Sequence, residues 1–236
     1  MPPMPTQSAS IPIFRFWTAV LCGYLALGAT LQALPIYVAK NFHSSPFIIG
    51  SIISIASLAA AFARPIAGYI ADHGFARSVV LIGSILGVLG GIGHWYAPNL
   101  AVLWIARLFL GAGEGALFTG AITLVIYNTP PEKRGALAGW FGLSMWGGLC
   151  VGPILATWFN YIFGNTLSVW SLVTALPLIG FILILTTSSS QNTIHSQNRK
   201  QLVLLPRGVQ LPGFAFLLAS YGYGIHQCNA NSISCL

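Results

Sequence analysis

The sequence predicts an all-α fold, a polytopic membrane helical bundle of six transmembrane helices followed by a partial seventh. Three observations lead there. Of 236 residues, 56% are hydrophobic and only 6% are charged, whereas a soluble domain carries about 25% Asp, Glu, Lys and Arg. Ten basic and three acidic side chains cannot dress an ordinary aqueous surface. Next, six apolar runs reach the roughly 20 residues that a helix needs to cross a hydrocarbon core about 30 Å thick. Last, the links between those runs are short and rich in turn residues, so each helix returns antiparallel to the one before. That pattern is a helical bundle and not a β-barrel.

The runs fall at 14–38, 47–70, 78–96, 100–127, 136–161 and 167–186. Turn chemistry separates them: Asn41-Phe42-His43-Ser44-Ser45-Pro46 after the first, Ala97-Pro98-Asn99 after the third, Asn128-Thr129-Pro130-Pro131 after the fourth and Gly164-Asn165 after the fifth. Residues 1–13 therefore read as an N-terminal segment and 14–187 as the bundle. Residues 188–207 are polar, rich in Ser, Asn and Gln, and carry Arg199 and Lys200, which marks an extramembrane linker. A seventh run opens at 208–225, weakened as a helix by Pro212 and four glycines, and ends in a tail without charge. Residues 208–236 are read as a partial seventh helix and tail.

A net charge of +7 in a soluble protein would point to nucleic acid. Here the basic residues are scattered between apolar runs, where they orient a membrane chain. With a cytoplasmic N-terminus the inner face receives Arg15, Arg77, Lys133, Arg134, Arg199, Lys200 and Arg207, and the outer loops receive only Lys40. That bias predicts an integral protein of the cell (inner) membrane with its N-terminus inside. Residues 1–10 hold no basic residue and the first run is too long for a signal h-region, so no cleavable signal is expected. Cys22 and Cys150 lie within apolar runs and Cys228 and Cys235 in the tail, with no metal or redox spacing. No phosphate loop and no nucleophile–base pair is visible, so neither an enzyme nor a cofactor is expected.

Three constellations carry candidate chemistry. The first is Arg64-Pro65-x-x-Gly68-x-x-x-Asp72-His73-x-x-x-Arg77, at the inner end of the second helix. Gly68 lets a neighbouring backbone approach closely, Asp72 can accept from a nearby helix N-terminus, and Arg77 can neutralise it across the turn. An ordinary charged turn is the alternative. The second is Arg107-x-x-x-Gly111-x-Gly113-Glu114-Gly115. Arg107 and Glu114 are two helical turns apart on one face and at hydrocarbon depth, where ionisable groups are costly and mark functional sites. A pair that only fixes packing is the alternative. The third is Gly139, Gly148, Gly152 and Pro153 in the fifth helix: glycines for a tight crossing, a proline that removes a backbone hydrogen bond, or simple packing.

Together, and in this order, these motifs resemble the N-terminal six-helix half of the major facilitator superfamily. Gly68, Asp72 and Arg77 match its loop 2–3 signature, which departs at His73, Phe75 and Ala76. Arg107 and Gly111 match its fourth-helix motif, linked in that family to proton coupling. Gly139, Gly148, Gly152 and Pro153 match its antiporter motif, with Ala156 and Thr157 where two glycines are usual. Asn128 to Gly135 is similar to its loop 4–5. The resemblance implies a secondary transporter working by alternating access between two six-helix halves. It further implies proton-coupled efflux of a small organic solute, sugar or drug-like, with Glu114 as protonation or substrate-contact site and Arg107 as its electrostatic partner. Gly68, Asp72 and Arg77 would form the gating motif. The partners implied are the solute, protons, the lipid bilayer and a C-terminal half that this chain lacks, so that alone it does not transport. An organic anion or sugar symporter of the same superfamily and a non-transporting truncated membrane protein are the rival readings.

Overall fold

A computed structural model describes residues 12–187, all within the first of two compact units, Met1–Arg199. The expected N-terminal segment (but for its last two residues), the linker at 188–207 and the partial seventh helix at 208–236 lie outside the described residues. Six α-helical segments follow one another: α1 (Ile13–Phe42), α2 (Pro46–Ile70), α3 (Ala76–Trp95), α4 (Leu100–Tyr127), α5 (Pro131–Phe163) and α6 (Thr166–Leu185). By length and apolarity, α2 and α3 count as one 50-residue stretch, Pro46–Trp95, beside four further candidate spans. A single π-helical turn, Ala71–Phe75, joins α2 to α3. There Gly74 reverses the chain at φ 96°, a backbone that side chains with a Cβ rarely adopt.

The turn residues end the helices as their chemistry dictates. His43 closes α1 in the left-handed region at φ 46°, and Gly164 closes α5 at φ 65°. Asn99 and Asn165 cap α4 and α6, their side chains accepting from Val102 N at 3.0 Å and Ser168 N at 2.9 Å. Pro46 and Pro131 open α2 and α5, where a missing N–H costs nothing. For that reason α5 starts five residues earlier than the apolar run alone indicates, and its first turn carries Glu132, Lys133 and Arg134.

Close approaches give the arrangement. Gly111 and Gly115 of α4 pack against Ala56 and Ala60 of α2, so the two run parallel. Gly83 meets Gly113 and Leu117, and Gly90 meets Ala106 and Leu110, so α3 runs antiparallel to α4. Gly87 and Gly91 meet Pro177 and Thr174, while Gly180 meets Ala19 and Trp170 packs edge-on with Tyr37, which sets α6 antiparallel to both α3 and α1. Gly148 packs on Tyr24 and Leu25, and Gly152 on Gly28 and Ala29, so α5 runs parallel to α1. Exchanging α1–α2–α3 with α4–α5–α6 maps the α1–α5 contact onto α4–α2 and α1–α6 onto α4–α3. These are two three-helix units in opposite orientation, the inverted-repeat construction of secondary transporters. α1 and α4 are the most enclosed helices, and α2 and α5 lie at the edges. Lipid gives little hydrophobic drive between helices, so these small-residue contacts and the apolar clusters around Leu34–Trp170 and Phe16–Leu117 hold the bundle.

Candidate functional site

Arg107 and Glu114 occupy the central stretch of α4, and both are buried. Arg107 is wholly enclosed, and its Nη1 donates to Thr30 Oγ1 of α1 at 2.6 Å. Thr30 Oγ1 in turn donates to Leu27 O at 2.6 Å, so its hydroxyl is used in both directions. Among the described residues Arg107 Nε and Nη2 have no partner, and neither has Glu114 Oε1. Among the described residues no ion pair within 4.0 Å joins Arg107 and Glu114. Glu114 instead lies in the field of two guanidiniums, Arg64 and Arg107, with Tyr24 beside it.

Arg64 changes place relative to expectation. The sequence groups it with Asp72 at the inner end of α2. The fold turns it toward α1, where Nη2 donates to Tyr24 Oη at 3.4 Å. The α2–α4 register accounts for this, because Ala56 and Ala60 lie against Gly111 and Gly115, which puts position 64 one turn from the level of Glu114. A further residue that sequence reasoning leaves without a role is His94 of α3. It is fully buried, within the field of Arg107, and its ring lies 5.2 Å from that of Trp170. Its Nδ1 is 2.6 Å from Gly90 O. A carbonyl only accepts, so Nδ1 carries the proton and Nε2 is left bare, without a partner among the described residues.

The gating constellation differs from its sequence reading in three ways. Among the described residues Asp72 makes no ion pair with Arg77 and accepts from no helix N-terminus. Its Oδ1 accepts from the Tyr127 hydroxyl at 3.2 Å, at the end of α4. Arg77 is in the first turn of α3, and α3 runs antiparallel to α6, so its guanidinium reaches the end of α6. There Nη2 donates to Ile184 O at 3.3 Å, Leu185 O at 3.1 Å and Thr187 O at 2.8 Å. A cation on these free carbonyls also complements the negative end of the α6 dipole. Gly68, expected at a close approach, has room for a methyl group: a Cβ there would meet only Thr119 Cγ2 at an ordinary 3.6 Å.

In α5 the glycines divide. A Cβ at Gly148 would lie 2.6 Å from Tyr24 Cβ, and one at Gly152 would lie 2.7 Å from Ala29 N. Pro153 reaches the same crossing, its Cδ 3.1 Å from a Cβ placed on Gly28. Gly139, expected on this face, opens onto free space. Among the described residues no group of three His, Cys, Asp or Glu side chains could hold a metal ion.

Known proteins share this construction. Residues 16–231 match the sequence profile of the Major Facilitator Superfamily. The chain belongs to the major facilitator superfamily. Its sequence is 31% identical over 164 residues to an MFS-type transporter of Salmonella typhimurium, covering 66% of this chain and 42% of that protein. It is 28% identical over 227 residues to one of Burkholderia mallei, covering 92% of this chain and 54% of the relative. The chain thus spans about half the length of these major facilitator relatives. Solved structures agree in fold. A peptide transporter POT in complex with sulfate superposes with TM-score 0.65 at 15% identity, over 95% of this chain and 47% of that one. The proton:xylose symporter XylE gives 0.53 at 15% identity, over 73% and 43%. As a superfamily member the chain is an integral membrane protein of a transporter family and not an enzyme.

Proposed function

We propose that this chain is one half of a proton-coupled secondary transporter that exports a small organic solute, sugar-like or drug-like, by alternating access. The observation that carries the reading is Glu114: an acid midway along the 28-residue α4, buried, with Oε1 unpartnered among the described residues and two guanidiniums in its field. Titratable or charged groups face it from α1 (Tyr24), α2 (Arg64) and α4 itself (Arg107). A carboxylate at that depth is tolerated only while water or a cation reaches it. Taking up or losing a proton there changes the charge between α1, α2 and α4 by one unit and biases which side of the bundle opens. The α5 crossing at Gly148, Gly152 and Pro153 supports the efflux direction, through the antiporter motif it resembles. The seven-to-one bias of basic residues supports a cytoplasmic N-terminus in the cell membrane. Relatives about twice as long support a second half-bundle as a requirement for transport.

One observation favours symport as a second reading. Arg64 and Glu114 share a field, so a proton on Glu114 leaves Arg64 uncompensated, and an anionic solute would then bind together with the proton. Solute-dependent proton movement in proteoliposomes tests the coupling, with this half assembled with a C-terminal half-bundle. Glu114→Gln is expected to abolish proton-driven flux and leave expression unchanged. Normal pH-dependent flux in that variant reduces Glu114 to a packing residue. The sign of proton movement during solute counterflow separates efflux by exchange from symport.

A further inference from the structure

Arg64 is exposed, yet it does not lie at a helix end. Glu114 is about 20 Å from either end of α4, and Arg64 is about one turn from its level. An exposed guanidinium at that depth is too costly against hydrocarbon and needs water or an anion beside it. The charges there do not balance. Of the three acids in the chain, Asp72 is bonded to Tyr127 in the α2–α3 turn and Glu132 is in the first turn of α5. Glu114 lies in the field of Arg64, and it is shared with Arg107. Two cations against one carboxylate leave an excess of one positive charge, and two once Glu114 takes a proton.

We infer that Arg64 and Tyr24 form a subsite for a carboxylate of the transported solute. The guanidinium offers five N–H donors in a planar fork, and within the protein Nη2 donates to Tyr24 Oη. Tyr24 Oη accepts in that bond, so its own O–H is free to donate. The exposed fork presents donors to both oxygens of a carboxylate, and the buried Tyr24 phenol holds the guanidinium in place behind it. The second cation nearby, Arg107, is wholly enclosed and bonded to Thr30. A single accessible guanidinium suits a monoanion, and a phosphate dianion would draw two. The coupling of this subsite to protons, and not the subsite itself, rests on the symport reading, in which protonating Glu114 releases Arg64 to the solute.

Modification of arginines by phenylglyoxal in the purified 236-residue chain, read residue by residue by mass spectrometry, tests the subsite without requiring transport. Benzoate at about 10 mM is expected to slow modification of Arg64 about threefold, as a ligand at about twice its Kd does. Arg15 and Arg134 should react unchanged, and benzamide, the neutral isostere, should protect nothing. Tyr24→Phe, which keeps the ring packed edge-on against Phe118, should weaken the protection. No protection by benzoate, equal protection by benzamide, or stronger protection by inorganic phosphate overturns the carboxylate subsite. Glu114→Gln separates the two claims. Protection greater than in the unmodified chain supports the coupling of Glu114 to Arg64. Equal protection keeps the subsite and sinks the symport reading.

Discussion

Thr30 carries more than its size indicates. Its hydroxyl is the one hydrogen-bond partner of the Arg107 guanidinium among the described residues. Leaving a buried donor unpaired costs about 1–3 kcal/mol, and more for a charged group. Thr30→Val keeps the shape and removes the oxygen, so the chain should lose stability on that scale in thermal unfolding in detergent. Thr30→Ser should restore most of it, and equal stability of all three would mean that Arg107 draws nothing from α1. The importance of Arg107 and Glu114 is legible in the sequence, because charges within an apolar run are rare and costly. Their partners are not legible. Thr30 lies 77 positions away, and nothing in the local pattern of α1 distinguishes it from the other small residues there.

Helices in this chain cross where glycines remove the Cβ, and the same residue type does different work at different positions along α5. Gly148→Val should drive a side chain into Tyr24 and Leu25 of α1 and sharply reduce the fraction of chain that elutes as a single folded species. Gly139→Ala faces open space and should leave that fraction unchanged, with a gain of about 1 kcal/mol from helix propensity alone. A matched loss in both variants would refute the division. Sequence spacing puts these glycines on one helix but does not say which of them meet a neighbour. The turn after α2 teaches a similar lesson. Asp72 and Arg77 are five positions apart, yet they serve different helices, because Gly74 sends α3 toward the end of α6 while Asp72 stays beside Tyr127.

For the whole molecule, the bias of basic residues toward one set of loops gives a definite expectation. In a background with its cysteines replaced, Ser44→Cys in the α1–α2 link should react with a membrane-impermeant maleimide added to intact cells. Glu132→Cys at the start of α5 should react only after the membrane is opened. The reverse pattern would invert the proposed orientation. The inverted pairing of α1–α2–α3 with α4–α5–α6 places α1 and α4 at the centre, and the buried arginine and glutamate fall on one of those two helices.

The sequence by itself determined the membrane class, the positions of the helices and the two costly charges in α4. Each of these follows from local quantities: apolar length against bilayer thickness, turn residues between runs, and the expense of burying an ion. Tertiary structure alone decided that Arg107 is held by Thr30, that Arg64 leaves the inner-end cluster for Tyr24 and the neighbourhood of Glu114, and that Arg77 caps α6. Those pairings depend on which helices run side by side and in what register. Register is fixed by close backbone contacts between residues dozens of positions apart, such as Gly111 on Ala56 and Gly115 on Ala60, and no local pattern encodes it.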